Sequence, residues 1–170
     1  MLRFLFPRLT ADPKRGADLF NWVTAQARLP HWYVAGEVAD NVEGRFAMLA
    51  TIAALVSVRL ERAGAGGVTA SVALTERFIE VMESEHREMG LGDPKLGRTV
   101  RKLVGSLARR VRLWRAAVDG GNWTEAARES VYGQSQSTAD ALDHTASQLK
   151  QTWLRLEVSP EQTLFEGAIE

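Results

Sequence analysis

Between residues 95 and 118, Leu96, Val100, Leu103, Leu107, Val111, Trp114 and Val118 recur at steps of three and four, and nothing else in the sequence constrains the fold as strongly. Side chains spaced this way share one face of an α-helix, so the row makes a single apolar seam that must be buried against other elements. Apolar spacing, capping residues and glycine stops place five more helices around it, at about Lys14–Leu29, Val42–Arg62, Thr69–Met89, Trp123–Tyr132 and Thr138–Glu157. No segment shows the two-residue alternation of a half-buried strand. The expected fold is therefore all-α, one compact multi-helix domain of about six helices over residues 1–170.

The connections are read from the same chemistry. Pro30 ends the first helix, and His31-Trp32-Tyr33 reads as an irregular aromatic segment before Asp40 or Asn41 caps the second. Gly64-Ala65-Gly66-Gly67 reads as a flexible link, and Leu91-Gly92-Asp93-Pro94 as a turn with Asp93 as N-cap. Asn122 with Glu125 resembles a capping box, and residues 158–170 read as a tail or packing arm. Met1–Phe6 is apolar, but Pro7, Arg8 and Asp12 interrupt it, so no export signal is expected. The apolar run Phe46–Val58 is shorter than the ~20 residues that span a bilayer and reads as a buried core helix.

Composition narrows the function classes. Lys+Arg and Asp+Glu are 21 each, which leaves no long-range field to attract nucleic acid or an anionic membrane, so specific nucleic-acid binding is not expected. Without cysteine there is no thiolate nucleophile or thiolate metal site, and a cytoplasmic setting is the simplest expectation. Three histidines and no phosphate-cradling glycine loop give catalysis and cofactor binding no support. Glu83 and His86 have the Glu-x-x-His spacing of di-iron bundles, but no second copy exists. Asp140 and His144 project opposite their helix's apolar stripe, so no metal site is expected.

Charge segregation is the informative feature. Lys95, Arg98, Arg101, Lys102, Arg109, Arg110, Arg112 and Arg115 occupy the rest of the 95–118 helix, and Asp93 is the one acid between residues 89 and 118. Such a face is either solvated and neutralised by neighbouring acids or a docking surface for a partner. Leu113 falls among the arginines on the helical wheel, a pattern closer to a protein-binding hot spot than to a phosphate track. Trp32 and Tyr33 are further candidate contacts, whereas the other four tryptophans fall mostly on apolar seams. Glu85 falls within the apolar stripe of its helix and is expected to pair with Arg45 or Arg59, since an unpaired buried carboxylate would protonate.

Ordered blocks of sequence resemble the ubiquinol–cytochrome c chaperone family. They are Ala25–Pro30 with Arg28, then Tyr33, Val42-Glu43-Gly44-Arg45-Phe46 and Arg59-Leu60. Phe78, Glu85-His86-Arg87-Glu88-Met89-Gly90-Leu91-Gly92-Asp93 and Leu96–Leu103 follow, with Val131-Tyr132-Gly133 as a last short block. The likeness spans about residues 17–133. It implies a helical, non-catalytic assembly factor that binds newly made cytochrome b during biogenesis of the respiratory bc1 complex. In the bacterial branch it implies action at the cytoplasmic face of the inner membrane. Peripheral membrane contact and a ribosome or co-chaperone are further expectations for its partners. Where relatives carry Phe-Tyr-Gly-Arg and Ala-Tyr-Asp, this chain has Ser106–Arg110 and Leu113–Ala116, which leaves a helical adaptor with a different client as the alternative.

Overall fold

A computed structural model describes residues 16–88, 90 and 93–169, with the side chains of residues 95–169 in the second half. The expectations for Met1–Pro7, for Met89 and the Leu91-Gly92 turn, and for the Asp93 cap lie outside the described residues. The elements in chain order are α1 (Ala17–Ala27), α2 (Pro30–Val34), α3 (Val42–Glu61), α4 (Gly64–Glu88), α5 (Asp93–Val118), α6 (Trp123–Ala127), α7 (Ala139–Val158) and α8 (Glu161–Phe165). Helix α6 runs directly into a π-helical turn, Arg128–Tyr132, and the described residues contain no strand.

Helix α3 is the axle. It touches α1, α4, α5, α7 and the π turn, and every residue from Ala50 to Val58 is buried. Alanines 47, 50, 53 and 54 let neighbours approach from all sides, which is why the Phe46–Val58 run is hydrophobic right round rather than on one stripe. Its two polar members are satisfied internally: the Ser57 hydroxyl donates to the Ala53 carbonyl at 2.8 Å, and Thr51 Oγ1 lies 2.6 Å from Ser130 Oγ. No helix among the described residues is long and apolar enough to cross a membrane.

Two connections differ from expectation, and a third is decided between its two readings. His31-Trp32-Tyr33 is not irregular but the body of α2, with Pro30 at its first helical position. The Trp32 indole donates to the Gln26 carbonyl at 2.8 Å and the Tyr33 hydroxyl to the Ala27 carbonyl at 2.8 Å, so two aromatics satisfy carbonyls left open at the end of α1. Gly64–Gly67 is the first turn of α4, not a flexible link. A Cβ on Gly67 would lie 1.9 Å from the Leu60 carbonyl oxygen, so glycine here permits a tight α3–α4 corner. The C-terminal segment is a packing arm, since Leu164 is fully buried and the Ile169 carbonyl accepts from the Trp22 indole at 3.0 Å.

Two other caps follow the sequence reading. Asn41 Oδ1 accepts from the Gly44 N–H at 2.9 Å and Asn122 from Glu125; Thr138, read from sequence as the first residue of its helix, is instead its cap and accepts from Ala141. Gly44 is fixed by packing as well, because a Cβ there would sit 1.9 Å from the Ala39 carbonyl oxygen. The Gly44→Ala variant should therefore lose about 2 kcal/mol, as overpacking against backbone does. Urea denaturation measures this; a loss near zero would show that the 39–44 turn yields freely.

Candidate docking surface

Helix α5 has two chemically distinct faces, and the inner one anchors it. Leu96, Val100, Leu107 and Trp114 are buried, and Leu103, Val111 and Val118 are partly buried against the core, as the spacing requires. The Trp114 indole donates to Ser130 Oγ at 3.0 Å, joining α5 to the π turn and, through Ser130, to Thr51 on α3. Arg110 completes this network and corrects the sequence reading, which set it among the solvent-facing cations. It is only 7% exposed. Its Nε and Nη2 donate to the Ser130 carbonyl at 3.1 and 2.7 Å, while Nη1 donates to the Ser106 hydroxyl and, at 3.4 Å, to the Ser106 carbonyl. Its guanidinium lies 5.9 Å from the centre of the Phe46 ring. Burial pushes the guanidinium down to about 10, with Arg109 acting in the same direction and Glu129 against it, so the group remains charged at neutral pH. The spacing held a clue, because Arg110 stands three residues after Leu107 and four before Trp114, on the edge of the apolar seam.

The outer face divides into neutralised and free cations. Arg109 Nη1 lies 2.9 Å from Glu129, and Arg115 makes a forked pair with Glu61 at 2.7 and 3.0 Å. Neutralisation by neighbouring acids thus holds for Arg109 and Arg115. Arg98, Arg101, Lys102 and Arg112 are exposed and make no ion pair among the described residues, and Lys95 extends the same field. Leu113 is half-buried and packs against the core, so it is not an exposed apolar centre among the arginines. Between the free cations stand Gly97, Gly105, Ala108 and Ala116, all exposed. A Cβ at Gly97 or Gly105 would meet nothing, although a mid-helix glycine costs ~1 kcal/mol relative to alanine.

The remaining candidates scatter. Trp32 is 1% exposed and belongs to the core, which corrects its place as a surface contact. Tyr33 is half-buried with its hydroxyl engaged, and burial raises its pKa first of all causes. Glu85 is exposed and meets neither Arg45 nor Arg59. The α3–α4 hairpin explains this: its register sets Phe78 beside Phe46, ring centres 6.1 Å apart, so Glu85 lies beyond the start of α3 and is exposed. Arg45 instead pairs with Asp40 at 2.7 Å on the surface. Arg59 donates to the carbonyls of Leu156 and Ser159 at the C-terminal end of α7, where a cation also complements the helix dipole. Arg28, Arg87 and Glu88 are exposed, and Gly90 adopts φ 83° after α4. The Tyr132 hydroxyl donates to the Gly36 carbonyl at 2.5 Å and lies 2.8 Å from Thr145 Oγ1, which gives the Val131-Tyr132-Gly133 block a structural role.

The histidines are arranged in a way the sequence did not suggest. His86 Nδ1 bonds the Met82 carbonyl, one turn earlier in α4, at 2.7 Å. His144 lies 3.2 Å from His31 Nδ1, joining α7 to α2, and the His31 ring packs 4.1 Å from Trp32. Burial lowers the His31 pKa, helped by the charges of His144 and Arg155. Its folded pKa lies below its unfolded value, so the unfolded chain binds more protons and stability should fall as pH drops below about 6.5. Denaturation midpoints from pH 7.5 to 5 should therefore decline more steeply for the native chain than for His31→Asn. Identical slopes would place the acid sensitivity elsewhere.

A helical core around one axle, with no strand among the described residues and exposed cations along the outer face of α5, defines a protein of the all-α class. The ubiquinol-cytochrome C chaperone family matches residues 35–169, and the chain belongs to that family. The match begins after the Ala25–Pro30 block and runs through α7 and α8, further than the likeness read from sequence blocks. The crystal structure of the Cbp3 homolog from Brucella abortus shares the fold, with a TM-score of 0.79 and 21% identity, covering 100% of this chain and 96% of that one. No curated protein matches the chain significantly.

Proposed function

We propose that this chain is a non-catalytic assembly chaperone that captures newly synthesised cytochrome b during biogenesis of the respiratory bc1 complex, using the exposed face of α5 as its docking surface. Membership of the ubiquinol–cytochrome c chaperone family supports the pathway. The observation that supports the surface is the cluster of exposed cations Arg98, Arg101, Lys102 and Arg112, which the described residues leave without acidic partners. Solvated surface charges add little to the stability of a fold, so a one-signed cluster is better matched to an encounter with a partner than to holding α5 in place. The chaperone would meet its client at the cytoplasmic face of the inner membrane, with the ribosome or a co-chaperone as additional contacts.

The test is purification of the tagged chain from translating cells, with cytochrome b quantified in the eluate by mass spectrometry. Cytochrome b should co-purify, and its yield should fall when translation is blocked before lysis. Enrichment of another membrane protein with cytochrome b at background would replace this client with that one.

A further inference from the structure

The outer face of α5 has its own helical row. Gly97, Arg101, Gly105, Ala108, Arg112 and Ala116 succeed one another at steps of four, four, three, four and four, on the side opposite the buried apolar seam. Steps of three and four are the spacing by which one helix lies along another. The row contains no large apolar side chain. Its small residues would let a second backbone come close, and its arginines would stand at intervals along the approach.

The cations set the chemistry of what could lie there. Around Gly105, Arg101 and Arg109 are one turn away on either side, and Arg98 and Arg112 are two turns away. Arg109 is held by Glu129, whereas Arg98, Arg101 and Arg112 are exposed and make no ion pair among the described residues. Arginine predominates over lysine, and its planar fork is shaped to hold a carboxylate through two parallel N–H donors. Open space beside Gly97 and Gly105 shows that no part of the described chain requires glycine at either position. A diffuse attraction to headgroups or a phosphate backbone would use the charges but gain nothing from the bare helix surface between them.

Resting on the reading of α5 as a docking face, we infer that its occupant is an acidic helix of a protein partner. That helix packs lengthwise on the Gly97–Ala116 row, its backbone close at Gly105 and Ala108, and its Asp or Glu side chains reach Arg98, Arg101 and Arg112. Complementary charge fixes its register, and the small residues fix its distance.

A photo-crosslinking amino acid at position 108 of the full-length chain, expressed in its own cells, tests this by mapping the crosslinked site with mass spectrometry. The crosslink should land on a protein segment rich in Asp and Glu at helical spacing. Two variants in the same background sharpen it. Arg101→Gln with Arg112→Gln should reduce the crosslink at least tenfold. Gly105→Leu, which keeps every charge and favours the helix, should reduce it comparably while the melting temperature holds or rises. A crosslink to lipid or RNA, a segment without acidic excess, or a crosslink indifferent to Gly105→Leu would each overturn the acidic-helix inference. The docking reading fails separately: cytochrome b capture would then persist after Arg98, Arg101 and Arg112 are all neutralised.

Discussion

Replacing Arg110 by alanine should lower the stability of this protein by about 3 kcal/mol, more than any other single charged residue of α5. The side chain is almost fully buried, and its three nitrogens donate to the Ser130 carbonyl, the Ser106 carbonyl and the Ser106 hydroxyl. Truncation removes charge-assisted hydrogen bonds worth roughly 1.5 to 3 kcal/mol apiece in favourable cases, leaves the buried Ser130 carbonyl without its donors, and opens a cavity beside Phe46. Against this stands relief from the desolvation of a buried cation, which is real here because the guanidinium is pushed down to about 10. The net effect is therefore smaller than the sum of the bonds. For a chain of this length about 3 kcal/mol corresponds to a fall in melting temperature of roughly 6 to 12 °C. Arg110→Lys should recover less than half of the loss, since an ammonium cannot reach both serines with a fixed fork. Arg110→Met restores volume without donors, and its distance from the alanine variant separates packing from hydrogen bonding. A loss under about 0.5 kcal/mol for Arg110→Ala, the range of ordinary surface changes, would mean that the π turn is held by Trp114 and Thr51 alone.

Arg110 also shows where a one-dimensional reading stops. The seam of α5 and the burial of Phe46–Val58 were legible because periodicity and apolar content are properties of a single helix. Every misreading concerned something a second element decides. Trp32 and Tyr33 looked like a surface pair after a proline, yet they cap the end of α1, which requires knowing that the chain turns back on itself at Leu29. Gly64–Gly67 has the composition of a linker, and only the nearness of the Leu60 carbonyl shows that glycine there is a packing requirement. Glu85 occupies an apolar position on its own wheel, but the hairpin register with α3 runs out before reaching it. A helical wheel tells which face could be buried and not how far the neighbouring helix extends. For the cationic face, the sequence held both possibilities, and the structure divides them residue by residue: acids on α3 and the π turn neutralise Arg115 and Arg109, while Arg98, Arg101, Lys102 and Arg112 face outward without an ion pair among the described residues.

Reversing those outward arginines should separate binding from folding. The triple variant Arg98→Glu, Arg101→Glu, Arg112→Glu changes three exposed side chains without an ion pair among the described residues, so stability should shift by no more than about 0.5 kcal/mol per site. Adding acids along α5 even offers new pairs to Lys95 and Lys102. Client capture should respond very differently. Reversal converts attraction into like-charge repulsion across the docking face, which costs several kcal/mol in a complementary interface, and cytochrome b recovered with the tagged chain should fall at least about tenfold. The parallel variant Arg98→Lys, Arg101→Lys, Arg112→Lys keeps the charge and loses the fork. It should retain intermediate capture with a steeper salt dependence, because exposed point charges are screened within about 10 Å at 0.1 M salt. Arg109 is left out of the set because its pairing with Glu129 would confound a binding loss with strain at the π turn. Circular dichroism and a denaturation midpoint on the same preparations fix the folded fraction. If cytochrome b capture and bc1 assembly are unchanged in a folded triple-glutamate variant, the free arginines of α5 are solvated surface and the client is held by another face of the bundle.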